Sequence, residues 1–459
     1  MAEAKSFREL GNEFFRKNDY EKAIEIYAEG ITSTNDRKEL SLLYSNRAQC
    51  YLCINYPIYA LGDTWISFQE LDSTNIKTLL RMATAYYELQ DFEMAKESYF
   101  LLFTITKEKE YALKMQEAET KAIELEKESE KNNPQFITSR NVGQRFKGLT
   151  SFDFIFPKNS KLSENPNYYT DLVKGKELLI VDLKGYGKSL IADRDFKKGE
   201  QILREKPFIS CTLNDRACDY CLKLFSDIKK QYDCPKCGAE SYCDQFCAEN
   251  AWNTYHKSLC GSYTRDLKKR GQNGVSNSAK IPLIIMKLYG KIRQMQGWPF
   301  SISKVPIIES LSVSSLEGKF GYNSWKVYLS IRDELALKEY ERFDFRIYLD
   351  LYFKLFNNAF QIKYVEGKAE DYIEKLGETG LAVFPIATFI NHSCLPNAGW
   401  ITDAVKYGDN LLLLATQDIK KGEQIFISYI PHLGNFIERQ KQLLQYSFKC
   451  SCMACEYKF

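Results

Sequence analysis

The pattern of apolar and polar positions changes character three times along the 459-residue chain. Over residues 4–131 apolar and aromatic positions recur at helical spacing, and three stretches look alike. The matching small residues are Gly11, Ala48 and Ala83, the matching aromatics Phe14, Tyr51 and Tyr86, and the matching alanines Ala23, Ala60 and Ala95. The copies are offset by 37 and 35 residues. A period near 34 residues, with small residues where two helices touch and aromatics beside them, predicts stacked helical hairpins. The middle copy is the least regular, with Pro57 at its inter-helix turn and Thr64 in place of an aromatic. Residues 114–131 read as a further charged helix that closes the array. Residues 132–175, with Pro, Asn and Ser and little periodicity, read as a connector.

Short β patterns follow. Residues 177–182 read as a strand, then comes the turn Lys184-Gly185-Tyr186-Gly187, and a Lys-Lys-Gly-Glu turn at 197–200 leads into another strand. From 281 to 372 the pattern is helical and rich in aromatics, with one helical run ending at Asn357-Asn358. The chain then returns to strands. An apolar run over 381–390 ends in Asn391-His392-Ser393-Cys394, residues 411–415 read as a buried strand, and a second Lys-Lys-Gly-Glu turn at 420–423 leads to a strand ending on Tyr429. Polar groups at the end of a core segment need partners, which singles out Asn391 and His392.

Composition narrows the classes. An aromatic content of 14% excludes a disordered protein, and a net charge of +3 supplies no general pull on nucleic acid. No apolar run approaches the roughly 18 residues of a membrane helix, and residues 1–10 lack the apolar core of a secretory signal, so no membrane association is expected. Most of the 14 cysteines crowd into 218–260 and 450–455. Without a secretory signal, close pairs predict metal before disulfides, and a cytoplasmic or nuclear setting. The order Cys218-x2-Cys221, Cys234-x2-Cys237, Cys243-x3-Cys247, His256-x3-Cys260 offers four chelating pairs, enough for two tetrahedral zinc sites. So few aliphatic residues lie between them that metal must hold the segment together, at roughly 10–16 kcal/mol per site. No ligand is left over, so neither zinc keeps an open catalytic position. The tail triplet Cys450, Cys452 and Cys455 needs a fourth thiolate, and Cys394 is the candidate. Cys50 and Cys53 read as helix-core residues. The segment 243–260 contains one lysine and no arginine, which argues against a nucleic-acid finger.

Together, the turn 184–187, the cysteine-rich insert, Asn391-His392-Ser393-Cys394-x-Pro396-Asn397, Gly422-Glu423 with Ser428-Tyr429, and the cysteine tail resemble the SET and MYND domain family of protein-lysine methyltransferases. The resemblance covers about residues 176–459, and the leading repeats match the subgroup with N-terminal tetratricopeptide repeats. It implies an α+β multidomain chain: helical repeats at 4–131, a linker at 132–175, a mostly-β SET domain in parts at 176–215 and 379–431, a MYND zinc finger at 216–262, a helical insert at 263–378, and a post-SET zinc tail at 432–459. It also implies interleaved finger ligands, with Cys218, Cys221, Cys243 and Cys247 on one zinc and Cys234, Cys237, His256 and Cys260 on the other, which with the tail makes three structural ions.

The same resemblance implies that Lys184, Gly185, Tyr186 and Gly187 contact S-adenosylmethionine, with Asn358 (Asn357 its competitor), and that Asn391 and His392 hold its methionine and adenine moieties through side-chain and backbone bonds. Tyr186 stands where the family commonly has a basic residue. Tyr429 and Tyr446 would form the active-site channel for a lysine of a protein substrate, histone or non-histone. Lysine has a free pKa near 10.4, so a neutral amine at pH 7.4 costs roughly 4 kcal/mol. An apolar channel lowers that pKa by desolvation, and alignment supplies much of the rest. A second reading stays open: an adaptor that binds peptides through its repeats and finger, with a weak or inactive SET fold.

Overall fold

The computed structural model describes residues 6–132, 167–225, 231–261, 280–296, 305–311, 327–328, 331, 345–364, 377–430, 434–446 and 448–457. Most of the expected connector, residues 133–166 of 132–175, lies outside them, and so does His432. The chain divides into two compact units, one made of Met1–Pro157, Glu317–Ser330 and Leu337–Leu349, the other of Lys158–Leu316, Ile331–Ala336 and Asp350–Phe459.

In the first unit, antiparallel hairpins follow one another: α1 (Phe7–Arg16), α2 (Tyr20–Ser33), α3 (Arg37–Cys53), α4 (Pro57–Trp65), α5 (Ile76–Glu88), α6 (Phe92–Thr106) and α7 (Lys109–Asn132). Polar caps set their starts. Ser6 and Glu9 form a capping box, and Asp19, Asp36, Asn75 and Asp91 each accept a backbone N–H of the first turn. The repeat is visible in the backbone itself. Asn18, Asn55 and Gln90 all take left-handed φ, 58°, 62° and 59°. Directly after them, the amides of Asp19, Tyr56 and Asp91 close back on the carbonyls of Phe14, Tyr51 and Tyr86. In the irregular middle copy Tyr56 replaces the capping aspartate, and α4 starts on Pro57 instead, whose missing N–H needs no cap.

The small positions do what their spacing predicts. Ala23, Ala48, Ala60, Ala83 and Ala95 are fully buried, and a Cβ on Gly11 would run into the Tyr27 ring. A bidentate ion pair, Arg47 Nη2 to Asp63 Oδ1 at 2.7 Å and Nε to Oδ2 at 2.8 Å, ties α3 to α4 with both side chains buried.

The second unit is a set of small sheets around one core. β1 (Leu178–Leu183) and β2 (Gly187–Ala192) form an antiparallel hairpin with Leu183 opposite Gly187. β3 (Gln201–Glu205) and β4 (Ile209–Thr212) follow, then β5 (Tyr232–Asp233) and β6 (Ser241–Tyr242) in the cysteine-rich segment, and later β7 (Phe360–Tyr364), β8 (Gly377–Val383), β9 (Asn391–His392), β10 (Ala398–Ile401), β11 (Leu411–Ala415) and β12 (Phe426–Ile427). The strand orders are β10-β11-β3, β4-β8-β7 and β12-β9, the last parallel. Each of the two three-stranded sheets is antiparallel and takes strands from both sides of the cysteine-rich interruption. Leu190, Phe196, Ala382, Phe384, Leu411, Leu413 and Ile419 share the core.

Two Lys-Lys-Gly-Glu turns clasp each other across this split. Phe196 and Ile419 exchange both backbone bonds at 2.8 Å. Asp418 accepts from Lys198 N and Lys197 Nζ, while Asp195 accepts from Lys421 N and Lys420 Nζ, all at 2.9–3.0 Å. Gly199 and Gly422 sit at matching φ of 84° and 88°.

Two expectations need correction. The segment 263–378 is not helical to its end: after α11 (Phe345–Asn358; α10 is Lys280–Gln296), Phe360–Tyr364 is a strand that pairs with β8, because β8 needs a neighbour on the side away from β4. The connector also stops early. A short helix, α8 (Tyr168–Leu172), precedes β1, and Val173 is already core. (α9 is Gln245–Ala251, α12 Phe436–Leu443 and α13 Met453–Glu456.) No helix among the described residues is long and apolar enough to cross a membrane.

The Arg47–Asp63 pair gives a direct test of the repeat unit. Asp63→Ala leaves a buried guanidinium without its carboxylate and is expected to cost about 3–5 kcal/mol. Thermal denaturation followed by helical circular dichroism measures it; an unchanged midpoint would show the pair to be dispensable.

Candidate active site

A cleft of about 1120 Å³ opens in the second unit. The turn after β1, the end of α11, the segment after β8, the end of β12 and the cysteine tail all line it. It therefore collects residues more than 250 positions apart. Lys184, Gly185 and Tyr186 form one wall. Gly185 sits at φ +87°, with nothing within 4 Å of the place a Cβ would take, so the backbone is bare toward any occupant. Gly187, at φ +69°, shapes the turn and opens β2 but is not among the lining residues. The Tyr186 ring packs edge-on against Phe426 at 5.7 Å. Asn358 and its neighbour Asn357 both line the cleft; Asn358 is buried and donates to the Lys354 carbonyl at 2.8 Å, as expected for the last residue of a helix.

Asn391 and His392 lie on β9, whose parallel pairing sets Asn391 opposite Phe426 and His392 opposite Ile427. The Asn391 amide donates to Ser189 Oγ at 2.9 Å and to the Lys188 carbonyl at 3.3 Å, which ties β9 to β2. His392 also lines the cleft. Its ring faces inward: Nδ1 accepts the Tyr429 backbone N–H at 3.0 Å, so in the neutral ring Nε2 carries the proton and donates to Cys394 Sγ at 3.3 Å. Both ring nitrogens thus have partners within the chain.

Tyr429 follows β12. Its hydroxyl donates to the Ile390 carbonyl at 2.7 Å, which commits the proton and leaves the oxygen lone pairs to accept. Burial, reinforced by Tyr446, pushes its pKa well above the usual phenol range, so it stays neutral at physiological pH. The Tyr446 ring lies 5.1 Å away, with its hydroxyl donating to the Tyr429 carbonyl at 3.3 Å. Phe448 completes the cluster at 5.9 Å from His392 and 6.3 Å from Tyr429. Phe448 was not anticipated, although an aromatic two residues after Tyr446 and beside the cysteine tail was a usable signal.

Three groups of four ligands converge, each group with its ligand atoms within 4.8 Å of one another: Cys218, Cys221, Cys243 and Cys247; Cys234, Cys237, His256 and Cys260; Cys394, Cys450, Cys452 and Cys455. The interleaved pairing and the Cys394 assignment both hold as geometry. All 14 cysteines are free thiols, and the close pairs stand at distances such as 3.5 Å for Cys221–Cys243 and 3.9 Å for Cys394–Cys450, near the roughly 3.8 Å edge of a thiolate tetrahedron built on 2.3 Å bonds. Each group could hold one metal ion, and none has an open position.

Supporting shells explain why the groups sit where they do. His256 Nε2 lies 3.5 Å from Cys237 Sγ, and its Nδ1 lies 3.3 Å from the fully buried Glu240 carboxylate, which orients the ring. Lys287 on α10 is fully buried and donates to the Asp219 carbonyl at 2.7 Å and the Tyr255 hydroxyl at 3.0 Å, locking the finger onto the insert. In the tail group, Gln440 on α12 donates to Cys455 Sγ at 3.2 Å. Glu205, at the end of β3, accepts from Ile386 N and Ala387 N and so positions the turn that leads to Asn391. Burial outweighs those two bonds and raises its pKa to about 7. Neither Lys287 nor Glu205 was visible as a site residue, because single charged residues in apolar stretches carry no spacing.

The fold and cleft define a SET domain protein: residues 187–430 match the SET domain family, and the chain belongs to it. It is similar to the histone-lysine N-methyltransferase ASHR1 of Arabidopsis thaliana, 30% identical over 60% of this chain and 54% of that protein. It is 27% identical to the histone-lysine N-methyltransferase SMYD3 of Homo sapiens over 59% of each chain, and 26% identical to a SET and MYND domain-containing protein of Dictyostelium discoideum over 56% of this chain and 77% of that one. The chain thus spans little more than half the length of the first of these relatives. The repeats align with the second tetratricopeptide domain of human RPAP3 at 29% identity over 25% of this chain and 92% of that one, with a TM-score of only 0.23.

The His392–Cys394 bond joins the aromatic cluster to the tail group, whose metal binding is testable. Cys394→Ser is expected to lower bound metal by one ion per chain, measured by elemental analysis, while the two finger groups keep theirs. Undiminished metal content would show that Cys394 is not a ligand.

Proposed function

We propose that the chain is an S-adenosylmethionine-dependent protein-lysine N-methyltransferase whose three four-ligand groups hold structural zinc. The observation that carries this reading is Tyr429: a neutral phenol with its proton committed to Ile390 and its lone pairs left to accept, walled by Tyr446 and Phe448, in the same cleft as Asn391 and the 184–187 turn. The donor sets fit zinc, since thiolate and imidazole in closed fours suit a structural ion.

Lys184, Gly185 and Tyr186, on the turn shaped by Gly187, hold the cofactor together with Asn358, Asn391 and the His392 backbone. When bound, S-adenosylmethionine supplies an electrophilic methyl group next to a positive sulfur. Tyr429, Tyr446 and Phe448 desolvate the incoming lysine and so favour its neutral amine. Tyr429 Oη accepts from that amine and aligns its lone pair, a positioning role that needs no proton transfer to the phenol. His392 holds the Tyr429 backbone in place. The substrate is a lysine on a protein, histone or non-histone.

Tyr429→Phe keeps the ring and removes the accepting oxygen. Transfer from labelled cofactor to protein lysine is expected to fall about 100-fold or more, with the fold and metal content kept. Near-normal transfer would sink the assignment. Saturable cofactor binding by the unaltered chain with no label on any protein of a cell extract would favour the adaptor reading instead.

The pH dependence has a definite sign. The Tyr429 pKa is raised, so the phenol does not ionise as pH climbs through 9; the lysine amine is the group that titrates. Activity is therefore expected to rise with pH between 7 and 9. A falling limb in that range, abolished by Tyr429→Phe in residual activity, would mean the phenol titrates there.

A further inference from the structure

Glu205 reaches across the interrupted domain, and a single turn carries its bonds to Tyr429. The residue ends β3, opposite Leu411 of β11, and its side chain is buried. Both carboxylate oxygens accept backbone amides from beyond the interruption, Oε1 from Ile386 at 2.7 Å and Oε2 from Ala387 at 3.0 Å. Those amides open a short 3-10 turn, Ala387–Phe389. Within it Phe389 N donates to the Ile386 carbonyl at 3.0 Å and Ile390 N to the Ala387 carbonyl at 3.1 Å. The turn thus has a carboxylate at its start and the Ile390 carbonyl at its end. That carbonyl accepts the Tyr429 hydroxyl at 2.7 Å, and the next residue is Asn391.

A carboxyl group accepts two amides at once, one on each oxygen, in its ionised form. When it is protonated one oxygen becomes a donor, and one of the two N–H groups loses its acceptor. Burial works against the anion, because a desolvated charge is costly without a counter-ion. Among the described residues no cation forms an ion pair with Glu205. Lys176, exposed just before β1, acts on it through space and favours the anion. The Tyr168 phenol of α8 is the other titratable group that bears on it, and burial raises that pKa to about 12, so it stays neutral. The elements packed against the carboxylate add no further charge. Leu411 is apolar, and Thr388 is the one polar side chain in the segment 384–390. Arg204 and Lys206, the sequence neighbours of Glu205, are exposed. Burial prevails, and the pKa of about 7 puts both forms of Glu205 within the physiological range.

We propose that Glu205 is a positioning residue whose proton governs the active site. Ionised, it holds both amides and sets the Ile390 carbonyl against the Tyr429 hydroxyl. Protonated, it frees one amide, loosens the turn and leaves that hydroxyl without a fixed acceptor. The consequence for activity rests on the methyl-transfer reading; the loosening of the turn does not. Transfer is then governed by two protons, one on the substrate amine and one on Glu205, and loss of each favours it.

Hydrogen–deuterium exchange on the unaltered full chain tests the turn directly. After correction for the intrinsic pH dependence of exchange, the segment 384–391 is expected to be at least threefold less protected at pH 6 than at pH 8, with β11 unchanged. Equal protection at the two pH values would overturn the proposal. This measurement needs no variant, so it decides even where a substitution prevents folding. Labelled-methyl transfer by the unaltered chain and by Glu205→Gln, compared at each pH, tests the consequence, because their ratio cancels the titration of the substrate amine. Glutamine offers one accepting oxygen, as the protonated acid does. The ratio is expected to be at least fivefold larger at pH 8 than at pH 6, and flatter for Glu205→Asp, which keeps a titrating carboxylate. A Glu205→Gln ratio that is the same at both pH values would also overturn the proposal. If the unaltered chain transfers no methyl at any pH, the methyl-transfer reading falls, and the exchange result still decides what Glu205 does to the turn.

Discussion

One imidazole connects the aromatic cluster of the cleft to the tail ligand group. His392 accepts the Tyr429 amide on one nitrogen and donates to Cys394 on the other. The first bond fixes where the strand after β12 delivers its tyrosine, and the second ends on a ligand of the tail group. A thiolate held in a tetrahedral site accepts a hydrogen bond well, so closure of the tail and placement of the phenol reinforce each other. Tyr446 and Phe448 arrive on the segment just before Cys450, and that segment lies beside Cys394, whose sulfur is 3.9 Å from Cys450 and 3.5 Å from Cys455.

That arrangement needs both parts of an interrupted domain in register, and local strand propensity cannot supply it. The clasp between 195–200 and 418–423 does. Each aspartate satisfies the other turn's amide and ammonium, and the Phe196–Ile419 exchange buries two apolar side chains at the centre. Exposed ion pairs alone are worth little. Here they flank a backbone exchange and a packed core, so they select the partner turn more than they stabilise it. The β2 carbonyls and amides then pair with 422–425, carrying the 184–187 turn to Phe426 and the cleft.

The cysteine-rich segment and the repeats solve a different problem. The cysteine-rich segment has few aliphatic residues, while the repeats bury leucines such as Leu43, Leu61, Leu79 and Leu102 between their helices. The finger uses two ligand groups and a buried Lys287–Asp219–Tyr255–Glu240 network to stand on α10. The repeats use small residues at helix crossings and identical left-handed turns, a device that works copy by copy.

Much was determined by the sequence alone, wherever the controlling physics is local. The 37- and 35-residue offsets already contain the turn at Asn18, Asn55 and Gln90, because helix crossings demand small residues at fixed spacing. Chelating cysteine pairs are local too, and the tail triplet announced a missing fourth ligand. The motif at 391–394 and Tyr429 were legible through their resemblance to a family. Tertiary structure decided what depends on contacts between distant segments: that the His392 ring turns inward to Tyr429 and Cys394, that Phe448 joins the aromatic cluster, that 360–364 becomes a strand, and that Lys287 and Glu205 are buried anchors. A hydrogen bond between residues 37 positions apart, or 181, leaves no periodicity to read; only the folded chain brings its donor to its acceptor.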